Sequence, residues 1–184
     1  MTAPTDVADA SARILIVEDS PTQAEHLRYL LEEHGYRVTA AATGAQALVA
    51  ARREKPALIV SDVVMPEMDG YAFCKAVKSD EQLKDIPVIL VTSLSSAGDV
   101  VKGLQCGADN FIRKPYEAKY LLARVNYALT NQTLRETEKV QIGVHILLGG
   151  ERHFITADRQ QILDLLISTY EEAVHLNDEL SVIG

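Results

Sequence analysis

The chain has 184 residues, 47% of them apolar and 24% charged, with a net charge of −8. This is globular composition, long enough for one sizeable domain plus an appendage, and the acidic balance offers no basic face for nucleic-acid phosphates. No apolar run approaches the ~18 residues a membrane span requires. The start, Met1-Thr2-Ala3-Pro4-Thr5-Asp6, has neither the basic nor the apolar region of a leader, so residues 1–11 read as a disordered lead-in.

Ile14-Leu15-Ile16-Val17 is an apolar run that ends in Glu18-Asp19-Ser20, a buried strand with two carboxylates at its end. Pro21 opens a helix, where its missing N–H costs nothing, and Ala24, Leu27, Leu30 and Leu31 follow at helical spacing. His34-Gly35 closes it. Tyr36 to Ala41 reads as a second strand and Ala45 to Glu54 as a helix started by Thr43-Gly44, with Pro56 as its breaker. Leu58-Ile59-Val60-Ser61-Asp62 is the central strand, buried on both faces as in a parallel sheet. The Met65-Pro66-Glu67-Met68-Asp69-Gly70 turn leads to a helix through Phe73, Ala76 and Val77. Ile86 to Val91 is a fourth strand that ends in Thr92-Ser93, and Val100, Val101 and Leu104 mark a fourth helix ended by Gly107. Asp109 to Ile112 is a short fifth strand before Arg113-Lys114-Pro115, and a long helix from near Glu117 carries Leu121, Leu122, Val125 and Leu129. Regular β–α alternation with short loops predicts a doubly wound α/β domain over residues 12–131 with a five-stranded parallel sheet.

Parallel strands place their carboxyl ends on one edge, so Glu18-Asp19, Asp62, Thr92-Ser93 and Lys114 converge despite their separation in sequence. Three crowded carboxylates call for a hard divalent cation, and magnesium suits carboxylates, water and phosphate oxygens. A lysine and a hydroxyl can hold phosphoryl oxygens, and an aspartate can accept a phosphoryl group as a nucleophile. No G-x-G-x-x-G or G-x-x-x-x-G-K-[ST] follows the first strand, and Asp62-Val63-Val64 lacks the second aspartate of a D-x-D hydrolase, which disfavours those activities. Cys74 and Cys106 fit no metal spacing and read as reduced cytoplasmic thiols.

These motifs resemble the bacterial response-regulator receiver domain over roughly residues 12–131. The resemblance implies a flavodoxin-like fold with Asp62 as phosphoacceptor, Asp19 as a direct magnesium ligand with Glu18 assisting, and the backbone carbonyl of Val64 completing the protein ligands. It also implies that Thr92 and Lys114 hold phosphoryl oxygens, that Lys114–Pro115 is cis, and that Phe111 occupies an aromatic switch position without the hydroxyl a tyrosine would bring. The implied donor is a sensor histidine kinase or phosphotransfer protein.

Beyond the receiver, residues 132–139 read as a helical linker and residues 140–156 as a β-hairpin: Val140, Ile142, Val144 and Ile146 alternate with more polar residues, Gly149-Gly150 turns, and Arg152 to Ile155 returns. His145 and His153 are candidate cross-strand neighbours. Thr156 is a candidate N-cap for a helix over residues 157–184. There Ile162, Leu166, Thr169, Ala173, Leu176, Leu180 and Ile183 form a coiled-coil seam; a second register runs through Leu163, Tyr170 and Asn177. Either register implies a partner helix, most simply that of a second subunit, while the same stripe could instead fold back on the receiver. Residues 131–184 hold 9 acidic and 4 basic residues, net −5, leaving −3 for the rest. This tail is also similar to the linker after N-terminal receivers of some hybrid sensor histidine kinases. It holds no His-Glu-x-x-Thr-Pro box and no ATP-binding glycine boxes, and Gly149-Gly150-Glu151-Arg152 is too short to mark a cyclase, so the chain reads as a non-enzymatic switch. The alternatives are the front part of a hybrid histidine kinase and a phosphate-independent scaffold.

Overall fold

The computed structural model describes residues 12–93, 102–103, 105–130, 141–148 and 151–158. Its first part runs β1 (Arg13–Val17), α1 (Pro21–Glu33), β2 (Arg37–Ala41), α2 (Gly44–Glu54), β3 (Leu58–Asp62), α3 (Gly70–Ser79), β4 (Val88–Thr92), β5 (Asn110–Arg113) and α4 (Ala118–Thr130). The five strands form one parallel sheet in the order β2-β1-β3-β4-β5. Because the chain leaves β1 toward β2 and then crosses to β3 on the other side, the order reverses between β1 and β3. That reversal opens a crevice at their carboxyl ends.

Alternation along the strands explains the two cores. Leu15, Val17, Ile59, Val88 and Leu90 face one way and pack with Ala47, Ala51, Phe73 and Val77 of α2 and α3. Ile14, Ile16, Leu58, Val60, Ile89, Val91 and Ile112 face the other way, against Leu27 and Leu31 of α1 and Leu121 and Val125 of α4. All five residues of β3 and of β4 are buried, the mark of strands covered on both faces. Each fully buried Leu, Ile or Phe contributes about 1.5–3 kcal/mol of transfer free energy.

Helix starts follow their capping chemistry. Ser20, Thr43 and Asp69 stand in extended conformation just before α1, α2 and α3 and accept the backbone N–H of Gln23, Gln46 and Ala72 respectively. Gly35, at φ +91°, carries the left-handed exit from α1 that a side chain would resist. At the exit of α2 the same role falls to Lys55, a non-glycine at φ 44°, whose N–H still reaches Ala51 O.

One partly buried ion pair ties three elements together. Lys78 of α3 donates to Asp109 Oδ2 at 2.8 Å and to the carbonyl of Ile86 at 2.8 Å, while the same Asp109 oxygen accepts the N–H of Val88 at 2.7 Å. The two cysteines come together as well: Cys74 Sγ lies 3.5 Å from the carbonyl oxygen of Cys106, and both thiols are buried and free.

The second part is a two-stranded antiparallel ladder of β6 (Gln141–Leu148) and β7 (Glu151–Asp158). Two expectations are corrected by its register. Thr156 does not cap a helix, because β7 continues to Asp158 to match all eight residues of β6 and pairs Thr156 with Gly143. His145 and His153 are not cross-strand partners: the ladder sets His145 opposite Phe154 and Ile146 opposite His153. The lead-in over residues 1–11, the helix positions Val100, Val101 and Leu104, the linker 132–139, Val140, the Gly149-Gly150 turn and the seam from Ile162 to Ile183 lie outside the described residues.

Truncating Asp109 leaves the Lys78 ammonium and the Val88 N–H without their shared acceptor in a buried setting. Asp109→Ala is therefore expected to destabilise the protein by about 3 kcal/mol in urea unfolding, and Asp109→Asn by clearly less, since an amide oxygen still accepts both bonds.

Candidate functional site

The site stands at the crevice between β1 and β3. Asp62 is the last residue of β3, and Glu18 and Asp19 follow β1 directly. Oxygens of all three carboxylates lie within 4.8 Å of one another, a spacing that can hold a metal ion. Glu18 and Asp62 are largely buried and Asp19 is exposed, so the cluster opens to solvent on the Asp19 side.

Local backbone geometry fixes each carboxylate. Asp62 Oδ1 accepts the N–H of Val63 at 2.8 Å, and Glu18 Oε1 accepts the N–H of Ser20 at 3.1 Å. Gly70 closes the turn after Asp62: its N–H donates to the carbonyl of Val63 at 2.8 Å, and a Cβ on it would collide with the Asp62 carbonyl oxygen and stand 2.7 Å from Val63 Cα. Within this turn Glu67 takes φ 69° while the Met68 N–H bonds the carbonyl of Pro66 at 2.8 Å, a tight γ-type turn. The turn leaves Val64 58% exposed, unlike its buried neighbours Val63 and Met65.

From the other side Lys114 reaches in from the end of β5. Its ammonium donates to Asp62 Oδ2 at 3.1 Å, to Glu18 Oε2 at 3.4 Å and to Gln23 Oε1 at 2.9 Å. Its backbone N–H donates to the carbonyl of Thr92 at 2.7 Å, which ties the end of β5 to the end of β4. Thr92 is fully buried there, and the Lys114–Pro115 peptide is cis. Phe111, half-buried on β5, packs beside Gly103; a Cβ on that glycine would stand 2.9 Å from the ring. The structure thus brings Glu18, Asp19, Asp62 and Lys114 into one cluster, with Thr92 at the neighbouring strand end and Phe111 farther along β5. Gln23 had no signal in the sequence: it is an ordinary polar residue in the first turn of α1, and its contact with Lys114 spans 91 residues.

Electrostatics follow from crowding. Burial pushes the Glu18 carboxyl above its ordinary range, partly offset by the Ser20 N–H; the nearby charge of Asp62 pushes the same way as burial and Lys114 opposes it. For Lys114, burial alone would lower its pKa, but the charges of Asp62 and Glu18 outweigh it and hold the ammonium above its ordinary value. Burial also raises the Tyr116 phenol beside the site.

An open parallel sheet in this order, with an acidic cluster and a lysine at its carboxyl edge, defines a flavodoxin-like α/β protein. A family model described as the response regulator receiver domain matches residues 14–126, and the chain belongs to that family. A signal receiver domain of a signal transduction histidine kinase from Syntrophus aciditrophicus is 48% identical, with 72% of this chain and 98% of that one covered and a TM-score of 0.63. Response regulator PleD of Caulobacter vibrioides is 39% identical over 144 residues, covering 76% of this chain and 32% of PleD. The DNA-binding response regulator MtrA of Mycolicibacterium smegmatis is 33% identical over 162 residues, covering 85% of this chain and 69% of MtrA. The chain is thus a receiver of two-component signalling, in a family where magnesium and phosphoryl transfer are general. Among the described residues no helix is long and apolar enough to cross a membrane.

Because its folded pKa is raised, Glu18 contributes stability that is present below about pH 4.5, its ordinary value, and lost as pH rises through the folded value. Without divalent cations, Glu18→Gln is expected to melt at a higher temperature than wild type at pH 7, and the gap should close as pH falls toward 4. Thermal melts in chelator across that pH range measure it.

Proposed function

We propose that Asp62 accepts a phosphoryl group from the phosphohistidine of a sensor histidine kinase or phosphotransfer protein in the cytoplasm. The observation that carries this reading is the Lys114 ammonium 3.1 Å from Asp62 Oδ2, beside a carboxylate cluster spanning 4.8 Å. An Asp62 carboxylate oxygen attacks phosphorus, the P–N bond of the donor breaks, and its electron pair returns to the imidazole, which takes a proton from solvent. Glu18, Asp19, Asp62 and the carbonyl of Val64 fit a magnesium ion, which when bound offsets the charge gathering on the phosphoryl oxygens. Lys114 neutralises one phosphoryl oxygen, and Thr92 donates its hydroxyl to another. Phe111, lacking a hydroxyl, answers the change by packing alone.

Asp62→Asn is expected to abolish incorporation of one phosphoryl group from a small phosphodonor, and chelation of magnesium should abolish it in wild type; intact-mass spectrometry with site mapping measures both. Wild type that takes no phosphoryl group on Asp62 would sink this reading and restore the phosphate-independent scaffold.

For the output, we infer a switch that works by dimerisation through residues 157–184 or by partner binding, with no catalytic step and no nucleic-acid contact of its own. The heptad seam and the acidic tail support this. A second reading, the front part of a hybrid histidine kinase, is favoured by the 48% identical receiver from a histidine kinase. Light scattering with magnesium, before and after phosphodonor, separates them. A dimer that changes mass only with intact Asp62 supports the phosphate-driven switch. A dimer of constant mass, the same in Asp62→Ala, supports the kinase linker, and a monomer throughout removes the coiled coil.

A further inference from the structure

We propose that Gln23 is a positioning residue for Lys114, a neutral anchor that keeps the ammonium in place when a cation takes the carboxylates. This rests on the phosphoacceptor reading of the same site. An ammonium has three protons to donate, and all three are committed: to Gln23 Oε1 at 2.9 Å, to Asp62 Oδ2 at 3.1 Å and to Glu18 Oε2 at 3.4 Å. Two of these acceptors belong to Glu18 and Asp62, carboxylates of the acidic cluster that can hold a divalent cation. A bound cation and the ammonium therefore draw on the same two carboxylates. Gln23 is different. It carries no charge, lies outside the carboxylate cluster, and makes the shortest of the three contacts.

The position of Gln23 is set independently of this contact. It is the third residue of α1, and its own backbone N–H donates to the N-cap oxygen Ser20 Oγ at 3.4 Å. The cap therefore aims the first turn of α1 at the strand ends. Because Gln23 is exposed, its side chain can be exchanged without disturbing either core. In the cation-free state, loss of the amide leaves Lys114 two acceptors. With the cation bound, the same loss leaves it with carboxylates already shared with the metal. The deletion therefore costs more in the bound state, and cation affinity falls.

The test is a double-mutant cycle read by calorimetric titration with magnesium chloride alone, independent of phosphorylation. Gln23→Met, which keeps the length and removes the acceptor, is expected to weaken magnesium binding about threefold to fivefold in the wild-type background, the size of one ordinary net hydrogen bond, because Gln23 is exposed and water can replace part of the contact. In a Lys114→Met background the same change is expected to have no effect beyond twofold. Equal affinities of Gln23→Met and wild type overturn the inference and leave the phosphoacceptor reading intact. So does an equal loss in both backgrounds, which would place Gln23 on the cation rather than on Lys114. Wild type that binds no magnesium overturns both together.

Discussion

The constraint on which this structure depends is the repulsion among Glu18, Asp19 and Asp62, whose oxygens share a space 4.8 Å across. Two of those groups are largely withdrawn from water, where like charges repel more strongly and screening is weak. Lys114 is the answer the chain carries within itself. It stands between the two buried carboxylates, is held protonated by them, and in turn lowers the cost of keeping them charged. Burial still wins at Glu18, whose carboxyl titrates high. The acidic cluster is therefore under-neutralised by Lys114 alone and can hold a divalent cation.

The fold delivers this arrangement by topology more than by local sequence. Residues 18, 19, 62 and 114 come from three different strand ends, and only a parallel sheet brings all of those ends to one edge. The reversal between β1 and β3 then spreads the helices apart at that edge and opens the crevice. Burial of β3 and β4 on both faces makes the edge rigid.

Much of this was legible in the residues because the signals were local. Short apolar runs such as Ile14–Val17 and Leu58–Val60, bounded by turn residues, read as two-sided strands, Pro21 and Thr43-Gly44 announce helix starts, and polar residues at strand ends mark the crevice. What escaped was long-range and idiosyncratic. Gln23 meeting Lys114, Lys78 meeting Asp109, and Cys74 meeting Cys106 each depend on how elements pack, and no spacing rule announces them. The tail misled for another reason. Thr156 is a good capping residue, but a cap needs a chain free to turn, and eight-residue register with β6 holds Thr156 in extended backbone.

The link between the site and β5 follows from the bonds around Lys114. The Lys114 backbone N–H bonds the Thr92 carbonyl at 2.7 Å, which extends the β4–β5 ladder past its last paired residues. The Lys114 side chain is held by three acceptors, of which Gln23 alone carries no charge. Phe111, three residues earlier, has no hydroxyl to join those contacts; its ring is held by the space that Gly103 leaves open. Asp62 is thus linked to β5 through the Lys114 ammonium, and β5 to β4 through the Lys114 backbone. The aromatic ring, with no hydroxyl, is coupled to its surroundings by packing alone.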